Sequence, residues 1–382
     1  MKRVSNILIA VLVSFCSTAA LGQTMPVPVP APPSIGAPSH ILMDFNSGQV
    51  LVEREADERR EPASLVKVMT AYVVFNELEG EHLALSDTVT ISERAWRMGG
   101  SRMFVEAGRS ITVEDLLRGV IIQSGNDASV ALAEHIAGNE ETFAQLMNQY
   151  AEQIGMDNTN FTNATGWPDP DQYTSARDMA LLAQSMIRNF PENYAMYSER
   201  DFTFNDITQR NRNQLLWRDD SVDGLKTGHT STAGYNLVTS AEREGMRLVS
   251  VVLGTAGPRE RADQSQSLLN YGFRFFRTYE LYAAEEALTT PRLWKGASDS
   301  LPVGLAQPMV VTIPQRQYDD LDASMELNSP LVAPIRRGDQ VGDLEVRLDG
   351  ELLTRAPLIA LEDADEGGFF GRMIDEVWLM FQ

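Results

Sequence analysis

Ser64 and Lys67 stand three residues apart in the segment Glu61-Pro62-Ala63-Ser64-Leu65-Val66-Lys67, which opens the most apolar helical run beyond the N-terminal segment. On a helix of 3.6 residues per turn, such positions share a face with a rise of about 4.5 Å between them, so Oγ and Nζ can meet. Burial disfavours the ammonium form of a lysine, and a neutral amine can take the proton from Ser64 as the hydroxyl attacks a carbonyl. The N–H groups of a first helical turn lack intrahelical partners, which leaves the N–H of Ser64 free to face an oxyanion. A plainer reading is a helix-capping serine followed by a lysine that snorkels to solvent. Because Ser-x-x-Lys pairs are common by chance, the pair taken alone favours that reading.

Two further polar clusters follow. Ser124-Gly125-Asn126 interrupts an apolar helical pattern, Leu116 to Ile122 before it and Ala128 to Ile136 after it. A polar turn pinned between buried helices can hold a hydroxyl and an amide rigidly in a cleft, although in isolation a serine and an asparagine capping the following helix are the better reading. The third cluster, Lys226-Thr227-Gly228-His229-Thr230, precedes the alternating stretches Tyr235 to Ala241 and Met246 to Leu253, which pair about a turn at Glu242 to Gly245.

The elements that must position these groups are legible in outline. His40 to Phe45 and Gln49 to Glu53 predict a hairpin about Asn46-Ser47-Gly48. From Leu65 to Leu78, apolar side chains cover nearly every side of the wheel, which predicts a buried helix, with Pro62 where a first turn tolerates proline. Val89 to Ile91 is a short strand, Arg97 to Arg109 a glycine-containing loop, and helices are expected over Thr142 to Ile154, Ala176 to Ile187 and Pro258 to Phe276. The segment Gly155 to Ser175, with Trp167-Pro168-Asp169-Pro170, is a long polar loop of the kind that borders a site. Strands, then helices, then strands and a helix predict an α+β domain, an antiparallel sheet covered by helices, over residues 39–280. Residues 287–365 change texture to short apolar stretches and turns, which predicts a small all-β sandwich. After an acidic link, residues 369–382 place Phe369, Phe370, Met373, Ile374, Val377, Trp378 and Phe381 on one helical face. That segment is too short to span a bilayer and suits the membrane interface, or else docks on the β module. Its polar face carries Arg372 beside Asp375 and Glu376, so adhesion would rest on the apolar face.

Composition narrows the classes. A formal net charge of -21 excludes a basic face for nucleic acid. Four scattered histidines show no ligand spacing, and neither metal nor cofactor is expected. Lys2 and Arg3, the apolar run Ile7 to Phe15 and the small residues before Gln23 predict a signal peptide over residues 1–22. The single cysteine, Cys16, falls inside it, so the mature chain has no thiol to catalyse or cross-link. Residues 23–38 read as a proline-rich linker.

Ser64-x-x-Lys67, Ser124-Gly125-Asn126 and Lys226-Thr227-Gly228, in this order, are specific where each alone is not. The chain resembles the low-molecular-mass penicillin-binding proteins, specifically the D-alanyl-D-alanine carboxypeptidases of the S11 peptidase family, over nearly its whole mature length. The resemblance implies a penicillin-binding, serine β-lactamase-like fold and removal of the terminal D-alanine from peptidoglycan pentapeptides, with β-lactams as covalent inhibitors. It implies Ser64 as nucleophile, Lys67 as general base, Ser124 as proton relay and Asn126 as orienter of Lys67 and of the substrate amide. It further implies Lys226 and Thr227 as anchors of the terminal carboxylate, and the N–H of His229 beside that of Ser64 in the oxyanion hole. Gly228 is expected to leave room for the substrate backbone. Arg212 and Arg259 stand where the family places arginines near the carboxylate, with surface salt bridges as the other reading of each. A second cation at Lys226 is expected to lower the pKa of Lys67. The loop Gly155 to Ser175 lacks the glutamate that class A β-lactamases use in deacylation, so a penicilloyl ester should persist. A peripheral place on the periplasmic face of the inner membrane and protein partners for the β module complete the expectation. A transpeptidase or endopeptidase of the same superfamily, and a weakly active scaffold that binds cell-wall peptides, are the alternatives.

Overall fold

The predicted hairpin forms as β1 (Ser39–Asp44) and β2 (Val50–Arg54) in the computed structural model, which describes residues 29–380. The signal-peptide segment 1–22 with Cys16, the linker residues 23–28, and Phe381 and Gln382 lie outside the described residues. Two short antiparallel pairs, β3 (Thr88–Thr90) with β4 (Ser110–Thr112) and β5 (Asp201–Phe204) with β6 (Ile207–Arg210), lie apart from the main sheet. That sheet is completed by β7 (Val222–Thr230), β8 (Gly234–Arg243) and β9 (Met246–Thr255) in the antiparallel order β2-β1-β9-β8-β7, which leaves β7 at an edge.

Alternation along the strands gives the sheet two apolar faces. Ile41, Met43, Val249, Val251 and Leu253 belong to one core, and Leu42, Leu248 and Val252 to the other. The first core takes α1 (Val66–Glu79), in which every residue from Val66 to Phe75 is buried. Around it are α2 (Glu93–Trp96), α3 (Val113–Arg118), α4 (Asn126–Ala137), α5 (Glu140–Ile154), α6 (Ala176–Asn189) and the one-turn α7 (Pro191–Tyr194). The second core is closed by α8 (Pro258–Phe275). The described part of the proline-rich linker is not a free spacer. Ile35 and Ala37 are buried in the second core, and the Tyr271 hydroxyl donates to the carbonyl of Pro30 at 2.9 Å.

The β module begins directly after α8. Strand β10 (Phe276–Tyr282), partly inside the range read as the first domain, is followed by β11 (Ala287–Thr289), β12 (Leu293–Trp294), β13 (Val303–Leu305) and β14 (Met309–Pro314), with which β10 pairs. Next come β15 (Leu321–Leu327), β16 (Leu331–Val332), β17 (Gln340–Leu348) and β18 (Glu351–Ala360). The main sheet of the module has the order β11-β13-β18-β17-β15, beside the two-stranded pairs β10-β14 and β12-β16. A separate apolar core, including Val303, Leu305, Leu344, Val346 and Leu358, holds it together. The terminal helix α9 (Phe369–Leu379) follows.

Candidate active site

The three polar clusters converge at the edge strand. A short 3-10 turn, Ala63–Leu65, leads into α1 and packs against β7. A cavity of about 290 Å³ there is lined by Ser64, Asn126, Thr165, Gly166, Trp167 and His229 among others. Two residues beside it adopt left-handed backbone without being glycine, Ala63 (φ 50°) and Ser124 (φ 65°), a conformation that costs energy and tends to persist at functional sites. Ser124 ends a single π-helical turn, Gly119–Gln123, and its buried Oγ has no hydrogen-bond partner among the described residues.

Lys67 is 1% exposed, and its Nζ meets three acceptors: Ser64 Oγ at 3.2 Å, Asn126 Oδ1 at 2.8 Å and the carbonyl of Thr165. An ammonium would donate to all three. A neutral amine has two N–H groups and one lone pair, so with Asn126 and Thr165 each accepting one N–H, the lone pair is left for the hydroxyl of Ser64. The pKa of Lys67 is pushed down to about 7, chiefly by burial and next by Arg212, with Asp127 and Glu140 acting in the opposite direction. Arg212 is thus a cation acting on Lys67 that the sequence did not suggest, beside the expected Lys226, whose repulsion with Lys67 appears in its own lowered pKa. Burial likewise holds Lys226 well below the ordinary lysine value, with Lys67, Arg212 and Arg261 adding to the effect. Lys226 is 3% exposed, and among the described residues its amine hydrogen-bonds only the carbonyl of Thr227, at 3.2 Å. A buried cation with donors to spare is a natural seat for a carboxylate.

Gly228 has a packing part beside the one expected. A Cβ there would fall 2.8 Å from the carbonyl oxygen of Pro62 and 3.3 Å from Leu65, so the glycine lets β7 and the serine turn approach each other, whatever substrate does. Gly166 makes the matching approach from the other side: with φ +80°, a Cβ would lie 1.9 Å from the carbonyl oxygen of Ala63. The turn carrying Ser64 is thus held between two glycines.

Arg212 joins this electrostatic cluster, while Arg259 does not. The Arg259 side chain is 86% exposed and pairs with Asp263 one turn on in α8. Two residues later on the same helix, Arg261 is buried and donates to the carbonyls of Gly228 at 3.1 Å and Asn236 at 3.4 Å. Its guanidinium lies over Tyr235, which stacks on His229 at 3.9 Å. Positions two apart on a helix point in nearly opposite directions, and packing against the sheet selected Arg261.

Sequence reasoning also missed Thr165, Trp167, Asp127 and Glu140 as parts of the site, although it placed the loop carrying Thr165 and Trp167 beside one. Asn163 Oδ1 accepts the N–H groups of Thr165, Gly166 and Trp167, which makes that loop a fixed wall. Asp127 accepts the N–H groups of Met103, Phe104 and Val105 at 2.8 to 3.2 Å, so the loop from Arg97 to Arg109 is tied to the start of α4.

Relatedness points the same way. Residues 27–257 match the D-alanyl-D-alanine carboxypeptidase family model of peptidase S11, and residues 276–366 match the C-terminal domain of penicillin-binding protein 5. The chain is 46% identical to D-alanyl-D-alanine carboxypeptidase DacC of Escherichia coli over 91% of its own length and 89% of that protein's. With DacA of the same organism it shares 44% identity over 92% and 90% of the two lengths. The crystal structure of penicillin-binding protein 5 from Haemophilus influenzae superposes with a TM-score of 0.86 at 45% identity, covering 88% of this chain and 99% of that one. A lysine poised against a serine at a sheet edge, on a chain related end to end to these enzymes, leaves one conclusion: this protein belongs to the D-alanyl-D-alanine carboxypeptidase family of penicillin-binding proteins.

Proposed function

We propose that in this carboxypeptidase Ser64 attacks the carbonyl between the last two D-alanines of a peptidoglycan stem peptide while Lys67 takes its proton. Negative charge developing on that carbonyl oxygen is received by the N–H groups of Ser64 and His229. The proton passes through Ser124 to the departing amine, D-alanine leaves, and water then cleaves the ester on Ser64, returning the hydroxyl. The observation carrying this reading is the Lys67 amine held by Asn126 and Thr165 with its remaining valence toward Ser64. Incubating the protein with a pentapeptide ending in D-Ala-D-Ala should release free D-alanine, and a penicillin should add its mass to the peptide containing Ser64 in one-to-one ratio. Acylation without D-alanine release would instead indicate the scaffold alternative. A penicilloyl ester should persist, because the loop from Gly155 to Ser175 carries no glutamate, and Glu140, which meets it at Ala164, is engaged by the backbone of Ala164 and by Arg94.

Lys226, Thr227 and Arg212 hold the substrate's terminal carboxylate. Lys226→Met should lower kcat/KM roughly 10- to 100-fold, the value of a charge-assisted hydrogen bond in a dry site. The same variant should show no such loss on a peptide whose C-terminus is amidated. An equal loss on both peptides would remove Lys226 from the carboxylate.

The terminal helix lies on a membrane surface, and residues 1–22 deliver the chain to the outer side of that membrane. Phe369, Phe370, Met373, Ile374, Val377, Trp378 and Met380 are each more than half exposed, an apolar face left facing solvent. The acidic residues that looked unsuited to lipid are occupied elsewhere. Asp375 accepts the N–H of Lys295 at 2.6 Å and a bond from Arg292 at 3.2 Å, and Glu376 pairs with Lys295. No helix among the described residues is long and apolar enough to cross a membrane. The protein should float with uncharged phosphatidylcholine vesicles even in high salt, and a chain lacking residues 369–382 should not. Release of the full chain by salt would show that the apolar face is not the anchor.

A further inference from the structure

Glu140 is the first residue of α5, where a carboxylate suits the positive end of the helix dipole. Glu141, its exposed neighbour, could meet that need from solvent, yet Glu140 is 7% exposed. Its Oε1 accepts the N–H of Ala164 at 3.1 Å, and Oε2 accepts from Arg94. The carbonyl of the same Ala164 accepts from Thr70 Oγ1 at 2.7 Å, and Thr70 lies one turn beyond Lys67 on α1. The next carbonyl along the loop, that of Thr165, is one of the two acceptors that turn the Lys67 amine toward Ser64.

We propose that Glu140 is a positioning residue for the acylation step: by fixing Ala164 from one side while Thr70 fixes it from the other, it sets where the Thr165 carbonyl meets Lys67. The polar loop from Gly155 to Ser175 is not itself a helix or a strand of the main sheet, so the place of its carbonyls depends on side chains that reach it from the helices, Thr70 of α1 and Glu140 of α5 at Ala164. The carboxylate anchor does that from the far end of a packed helix. Its charge matters as well. The groups facing Lys67 are Asp127 of α4 and Glu140 of α5, which favour the ammonium, and Arg212 beyond β6, which disfavours it; Lys226 of β7 is coupled to Lys67 through its own depressed pKa. Of these, Glu140 alone also touches the loop that supplies an acceptor to the amine.

This inference rests on Lys67 being the base, and two variants of the full chain separate the parts. Glu140→Gln keeps a carbonyl for the N–H of Ala164, because the half-exposed Arg94 can swing aside from the amide, and it removes the charge. Its plateau acylation rate by penicillin should stay within about threefold of the parent. The pH midpoint of its acylation should move lower, since a group favouring the ammonium is gone. Glu140→Ala loses charge and acceptor, and its plateau rate per active molecule should fall about tenfold, since a shift of the reacting groups well under 1 Å is enough for that. Counting active molecules by stoichiometric penicillin labelling removes any unfolded fraction from the comparison. A Glu140→Ala plateau equal to the parent's, or a Glu140→Gln variant as slow as Glu140→Ala with an unmoved midpoint, would overturn the proposal. If Lys67→Met still acylates at the parental rate, it is the base assignment that fails, and that outcome reads independently of either Glu140 variant.

Discussion

Lys67→Met is expected to lower the rate of acylation by penicillin about 1,000-fold or more, within the range assigned to a positioned general base, with the folded structure retained. Methionine fills nearly the same volume, so no cavity opens. In the parent protein, burial and the surrounding charges together place the pKa of Lys67 at about 7. The base form therefore fills in as pH rises through neutrality, and acylation should climb there to a plateau above it. Stability carries the same signature. The folded pKa lies below the unfolded lysine value of 10.5, so between about 7 and 10.5 the unfolded chain binds more protons and this group makes folding more favourable as pH rises. Below about 7 the buried ammonium is a full liability. The variant gains by losing that charge and loses by leaving Asn126 Oδ1 and the Thr165 carbonyl without a donor, effects of about the same size, so the total change in stability is a poor test. The pH slope is the better one. Denaturant unfolding across pH 7 to 10 should show a component in the parent that Lys67→Met lacks. Acylation within tenfold of the parent would refute the assignment.

Gly166→Ala should lower acylation at least ~100-fold through geometry alone. The added Cβ would sit 1.9 Å from the carbonyl oxygen of Ala63 and 2.9 Å from the nitrogen of Ser64, at a φ of +80° that side chains rarely adopt. Left-handed backbone costs about 1–2 kcal/mol by itself, and relieving the clash requires the loop and the nucleophile turn to part by about 1 Å. Both Ser64 and its N–H ride on that turn. Gly155→Ala is the control: its φ is +86° and nothing lies within 4 Å of the added carbon. It should lose comparable backbone energy in thermal unfolding and keep its acylation rate. Equal acylation by the two variants would mean that the approach of Gly166 to Ala63 has no part in catalysis.

The helix behind Ser64 was legible because apolar residues on every side of a wheel can only describe a buried helix, and the structure buries Val66 to Phe75 without a break. One-turn elements were not legible. Helix α2, Glu93–Trp96, is shorter than the period that would reveal it, and its one local signal is Ser92 capping the N–H of Ala95. The π-helical turn before Ser124 left no mark in the residue pattern either, since the same apolar residues would suit an uninterrupted α-helix. Thr165 was out of reach for another reason: it contributes a backbone carbonyl, which every residue type carries.

By itself the amino-acid sequence determined which chemistry the protein could contain. A hydroxyl and an amine three residues apart, a serine and an asparagine in a turn between buried helices, and a lysine on a strand are local facts, set by residue type and by helix and strand periodicity. Tertiary structure decided everything that depends on distance across the chain. It chose Arg261 over Arg259, packed Gly228 against the serine turn, and brought Arg212 as well as Lys226 within electrostatic reach of Lys67. The physical reason is that burial and electrostatic coupling act through space within a few ångströms, and residues that close are here separated by up to about 160 positions of chain.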